Sequence, residues 1–174
     1  ALLMYNGLPY DSDEGRAFAA AITAVMTGEA YLQSSRIAAR LGPFSQYDLN
    51  RESFLEVMRM HRSALQNVNP NFVPPALMKA AQECWDLVVL EGTVNGFRNA
   101  QATVLAPTGT IGFMMDCDTT GVEPDLALVK FKKLVGGGVM KIVNCTVPFA
   151  LAKLGYTRDE IAAITDYIDE NGTI

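Results

Sequence analysis

The residues best placed to do chemistry lie within 98–124, which reads RNAQATVLAPTGTIGFMMDCDTTGVEP. An apolar run over residues 102–106 stops at Pro107, and a small hydroxyl-rich loop comes directly after it: Thr108, Gly109, Thr110. A second apolar patch covers residues 111–115, and a polar turn ends in Gly121-Val122-Glu123-Pro124. A buried strand that runs out into Pro, Gly and Thr presents backbone N–H groups and hydroxyls at a sheet edge. Such donors satisfy the oxygens of a phosphate without a buried counter-charge. The competing reading needs no ligand: Pro stops the strand, Gly109 gives freedom and Thr110 caps the next element. The spacing is neither a Walker A loop nor a dinucleotide fingerprint.

Other candidates are weaker. Cys117 lies between Asp116 and Asp118. A metal cluster would want more Cys or His at set spacing, and flanking carboxylates disfavour a reactive thiolate, so a structural role is expected. Cys84 lies on an apolar helical stretch and reads as core, and Cys145 is read the same way. His61 is the single histidine, a residue expected at a surface or edge. Gly136-Gly137-Gly138 permits close backbone approach to a ligand, or simply a flexible connection. Glu123, an acid next to Pro124, reads either as a plain turn residue or as a functional one. Lys130, Lys132 and Lys133 read as a solvated helix face.

The elements that must position the loop are mostly helices. Asp13 and Glu14 suit a helix N-terminus. Phe18, Ala21, Ile22, Val25 and Met26 then repeat at helical spacing, continued past Gly28 by Tyr31, Leu32, Ser35 and Ala38 until Leu41-Gly42-Pro43 ends the run. Asn50 is expected to cap a second helix with Phe54, Leu55, Met58 and Leu65 on its face. A third is expected over residues 76–90, with Gly92 as the glycine just past its C-terminal end. Residues 103–106 read as a buried strand, residues 111–115 as a strand or a helical turn, and residues 124–134 as a helix. Val139–Val143 reads as a strand or the start of a helix. Residues 146–154 read as a helix that admits Pro148 in its first turn. Thr157 and Glu160 form a capping box for a last helix carrying Ile161, Ile164 and Ile168 and ending at Asn171-Gly172.

The fold class expected is therefore α/β and helix-rich. Residues 1–97 are mainly helical, 98–124 are strand plus loop, and 125–174 are helices with a possible strand. Few strand candidates are close enough to pair as hairpins, so a parallel sheet or barrel completed outside the chain is the natural reading. Both ends look cut, as in an excised fragment. The 174 residues carry a formal net charge of −5 and no Lys/Arg cluster, which argues against a nucleic-acid partner. No run approaches the roughly 20 apolar residues that a membrane span needs. Three widely spaced cysteines argue against a disulfide scaffold and for a reducing cytoplasm.

Arg98-Asn99-Ala100, Leu105-Ala106-Pro107-Thr108-Gly109-Thr110-Ile111 and Gly121-Val122-Glu123-Pro124 together resemble the phosphate loop and flanks of the ribonucleotide reductase large subunit. They are most similar to the adenosylcobalamin-dependent (class II) branch, with a class I large subunit as the alternative. Gly7-Leu8-Pro9-Tyr10-Asp11-Ser12 and Gly42-Pro43-Phe44 are also similar to that family. The resemblance covers essentially the whole chain and is strongest over 98–124. It implies a fragment of the family's ten-stranded α/β barrel in which Pro107, Thr108, Gly109, Thr110 and Ile111 cradle the phosphate of a ribonucleotide substrate. For the whole enzyme it implies adenosylcobalamin as cofactor and a thioredoxin-type reductant as partner. The family's radical cysteine sits in an Asn-x-Cys-x-Glu setting that this sequence lacks, so no catalytic residue carries over. A non-catalytic helical interaction module is the reading from a different class.

Overall fold

The computed structural model describes residues 1–115, 117–119, 121–125, 127–133 and 135–172. The chain divides into two compact units, Asp13–Val104 and the combination of Ala1–Ser12 with Leu105–Ile174.

The first unit is built by three helices. We label the short N-terminal helix of the other unit α1 (Leu2–Tyr5), so these three are α2 (Asp13–Leu41), α3 (Tyr47–Ala64) and α4 (Pro75–Asn95), with 3₁₀ turns at Leu65–Asn67 and Pro70–Phe72. The long pairing of α2 with α4 dominates. It depends on small residues, since Gly15, Ala17, Ala21, Gly28, Ser34, Ser35 and Ala38 are all buried on α2. A Cβ at Gly28 would lie 2.9 Å from Cys84 Sγ and 3.1 Å from Trp85 Nε1. Gly28 therefore lets α4 approach while the helix runs straight through it. The buried Trp85 indole donates to the Ala24 carbonyl at 3.0 Å, which satisfies the one polar atom on that large ring.

Below α4 an aromatic cluster closes the core. Phe97 is fully buried. It meets Tyr31 at a centroid distance of 6.0 Å, Phe54 at 5.0 Å and Tyr47 at 6.2 Å, mostly edge-on as ring quadrupoles prefer. The chain leaving α4 is then stitched down. Arg98 N–H donates to Ser34 O, and its guanidinium donates to the carbonyls of Gly42 and Pro43 at 3.3 Å, just past the end of α2. Asn99 N–H donates to Ser34 Oγ, which donates in turn to Asn99 Oδ1, both at 2.9 Å.

Two helix boundaries differ from the sequence expectation. α3 begins at Tyr47, three residues before Asn50, whose side-chain amide donates back to Gln46 O at 2.8 Å from inside the first turn. α4 runs through Gly92 to Asn95 and is capped at Gly96, φ 70°. Gly92 is instead a packing residue, because the Phe97 ring fills the space a Cβ would need.

The second unit carries the rest: α1, α5 (Gly109–Met114), an antiparallel hairpin of β1 (Val129–Lys133) and β2 (Val139–Val143), α6 (Val147–Lys153) and α7 (Arg158–Asn171). The hairpin pairs Val129 with Val143 through to Lys133 with Val139. Its turn uses Gly136 and Gly137 at φ 105° and 100°, a region closed to most side chains. Pro148 lies in the first turn of α6, and α7 has the full Thr157–Glu160 capping box. The hydrogen bonds from Thr157 hold the Glu160 carboxyl below its ordinary range. Val129, Val147 and Ile168 form a small core with Met4, Leu128, Val143, Leu151 and Ile164 against it.

The strand pattern also departs from expectation. The helix expected over 124–134 is not what the described residues form, because Val129–Lys133 is β1 and pairs with β2. A hairpin therefore forms in a chain whose strand candidates offer few hairpin pairings. Residues 103–106 form no strand, since nothing among the described residues pairs with them; Val104 is 76% exposed and Leu105 72%. The open question at residues 111–115 resolves to the helical turn of α5. Among the described residues the only sheet is two-stranded, and no helix is long and apolar enough to cross a membrane.

Candidate phosphate loop

The chain enters the loop through Leu105, Ala106 and Pro107, all exposed. Thr108 then takes φ 43°, the one residue other than glycine among those described with positive φ. A β-branched side chain in that region is strained by about 1–3 kcal/mol. Its hydroxyl donates to Ala106 O at 3.1 Å, which tightens the turn. α5 starts at the next residue. Its first backbone bond is Gly112 N–H to Thr108 O at 2.9 Å, then Met115 N–H to Ile111 O at 3.0 Å. The amides of Gly109, Thr110 and Ile111 therefore head the helix ahead of its ladder, where backbone donors have no intrahelical partner. Nothing lies within 4 Å of where a Cβ on Gly109 would be, so a ligand can reach the backbone there. The structure thus brings Pro107, Thr108, Gly109, Thr110 and Ile111 together in one exposed turn.

Behind α5 the chain is held by a polar network that sequence reading missed. Cys117 N–H donates to Gly112 O at 2.9 Å. The Asp118 carboxylate accepts from Cys145 N–H at 2.8 Å and from the Thr146 hydroxyl, and its backbone carbonyl accepts from Lys130 Nζ at 2.9 Å. Lys130 also pairs with Asp125, whose side chain is 9% exposed. Asp125 accepts in addition from Asn144 Nδ2 at 2.8 Å. Asn144 and Thr146 are themselves buried. Lys130 is therefore an internal partner on a strand, not part of a solvated helix face. The available signal was the density of acids in Asp116-Cys117-Asp118 and Asp125, placed amid apolar segments that leave few other partners.

The remaining candidates are placed elsewhere or differently. Asp116 lies outside the described residues. Cys84 is core, as expected; burial first, then a hydrogen bond to Glu29, pushes its thiol up to about 12. Cys145 is exposed, contrary to the core reading: in the turn between β2 and α6 its neighbours Asn144 and Thr146 are the buried residues. Cys117 is exposed too. His61 stacks on Trp85 with ring centroids 5.3 Å apart. Glu123 is exposed in the turn before Pro124, where Tyr10 OH donates to the neighbouring Val122 carbonyl at 3.1 Å. No metal-binding cluster occurs among the described residues.

Among known proteins, the family profile described as ribonucleotide reductase, barrel domain, matches residues 1–174. A vitamin B12-dependent ribonucleotide reductase of Streptantibioticus cattleyicolor is 55% identical over 177 residues, covering 100% of this chain and 29% of the relative. One from Rhodopirellula baltica is 53% identical over 174 residues, covering 100% of this chain and 17% of the relative. A vitamin B12-dependent ribonucleoside-diphosphate reductase of Mycobacterium tuberculosis is 26% identical over 162 residues, covering 93% of this chain and 18% of the relative. The chain thus spans less than a third of the length of these curated relatives.

Proposed function

We propose, from the premise that this chain belongs to the ribonucleotide reductase barrel-domain family, that it supplies the substrate-phosphate loop of a reductase converting ribonucleotides to 2′-deoxyribonucleotides. The observation that carries the reading is Thr108, a strained β-branched residue at φ 43° that turns the chain into the head of α5. Backbone strain of this kind survives where the surroundings enforce it, and it clusters at ligand clamps.

In this reading the amides of Gly109, Thr110 and Ile111 and the Thr110 hydroxyl donate to phosphate oxygens. Pro107 and Thr108 fix the turn that presents them. The contribution is positional: a held phosphate fixes the ribose for chemistry performed by residues elsewhere in the longer protein. The loop would sit at the end of a strand of the family's ten-stranded barrel, residues 103–106 being that strand once its partners are present. Their exposed apolar side chains fit that role.

The names of the relatives favour adenosylcobalamin over a separate metal-radical subunit for the whole protein. That cofactor supplies the radical when bound. The described residues of this chain do not assemble a cradle that fits it: the single histidine is stacked on Trp85, and Gly136–Gly138 close a hairpin. The cofactor and the radical cysteine are assigned to the remainder of the protein, with a thioredoxin-type reductant supplying electrons.

The test is Thr110→Val in the full-length reductase. Removing a hydroxyl that donates to a charged phosphate raises KM for the nucleotide about tenfold or more, with kcat within about twofold. An unchanged KM would remove the assignment.

A further inference from the structure

We propose that Asp118 and Thr146, braced by Asp125, Lys130 and Asn144, are the positioning residues of the phosphate loop. The inference rests on the phosphate-loop function proposed for residues 107–111. α5 is six residues long, too short to hold its own orientation by helix stability. The stretch that follows it is fixed instead by groups from two other segments. Cys117 N–H closes onto Gly112 O, and the next residue, Asp118, is gripped on both sides. Its carboxylate is held by Cys145 N–H and the Thr146 hydroxyl at the entrance to α6. Its carbonyl is held by Lys130 on β1.

The bracing residues are themselves fully engaged. Lys130 is paired to Asp125, and Asp125 accepts from Asn144, whose Oδ1 accepts Thr146 N–H at 2.9 Å. Every charged or polar group in this network that leaves water therefore has a partner, the condition under which such networks specify one arrangement. An arrangement so specified reaches α5 through the bond from Cys117 N–H to Gly112 O. A ligand clamp that must hold a phosphate within a few tenths of an ångström needs a fixed base of this kind, because loose donors lose transition-state positioning. The alternative is that the network only holds the small unit together.

The two differ in kinetics. In the full-length reductase, Asp118→Ala and Thr146→Val each raise KM for the ribonucleotide about tenfold, with kcat within about twofold. Asp118→Asn keeps an acceptor for Cys145 N–H and gains an N–H for Thr146 Oγ, and it returns KM to within about threefold of the parent. Combined with Thr110→Val, Asp118→Ala adds much less than its own effect, since both act through the same donors. If Thr110→Val raises KM while Asp118→Ala and Thr146→Val leave it unchanged, or only reduce the yield of active enzyme, the positioning role is overturned and the phosphate loop stands. If Thr110→Val leaves KM unchanged, the loop assignment fails and this proposal fails with it. Should Asp118→Ala not fold, Thr146→Val, which removes one oxygen and keeps the volume, decides alone.

Discussion

Thr108 holds two opposed tendencies at one residue. Its positive φ costs on the order of 1–3 kcal/mol, whereas glycine at the same place would lose about 0.5–1 kcal/mol through extra freedom in the unfolded chain. Thr108→Gly is therefore expected to stabilise the protein by about 1 kcal/mol, visible as a higher urea midpoint, while raising substrate KM because the hydroxyl bond to Ala106 O is gone. A variant that gained stability and kept its KM would show that the strain serves no ligand. At this scale the sequence is informative about the loop and offers only a cluster of acids as a sign of its support. Pro107 through Ile111 are contiguous, so composition alone groups them. Asp118, Asp125, Lys130, Asn144 and Thr146 are brought together only by the hairpin, which local patterning does not reveal.

At the scale of elements, side-chain period decides what can be read. α7 carries a clear 3.6-residue face between a capping box and a glycine end, and it lies where that period puts it. α2 has no comparable single face, since small residues are buried along it and Met26 is exposed, and only its ends at Asp13 and Leu41 were legible. β1 alternates Val, Lys, Phe, Lys, Lys, and five residues of mixed polarity do not exclude a helix. The deciding information is non-local: the glycine turn and the second strand that pairs across it. Gly92 misleads for a similar reason. A glycine near the end of an apolar helical run looks like a terminator, whereas here it makes room for Phe97, whose position depends on Tyr31, Tyr47 and Phe54. Gly92→Ala is expected to destabilise the helical unit by about 1–3 kcal/mol through overpacking against a ring that has nowhere to go, measured by urea unfolding. A neutral result would mean that Phe97 can shift without loss.

The whole molecule consists of two units with unequal means of support. The buried cluster around Trp85, Phe97, Leu55 and Met58 is made entirely from residues of Asp13–Val104. A protein of residues 13–104 is expected to fold alone, with a blue-shifted Trp85 emission that moves red in one cooperative urea transition. Emission already at the solvent value in buffer would contradict it. Among its described residues the other unit buries only Val129, Val147 and Ile168 in its core, little apolar area to offset the ordering of the chain, so it is not expected to fold by itself. That weaker unit is also the discontinuous one, made of Ala1–Ser12 and Leu105–Ile174. Tyr5 rests on Phe149 and Gly7 against Lys153. On the ribosome, residues 1–12 leave the exit tunnel before the whole helical unit and long before the α6 residues they must meet. At about 5–20 residues per second the delay is on the order of ten seconds. The helical unit completes its fold within that interval, while α1 waits without its α6 partners, open to whatever chaperone attends the nascent chain.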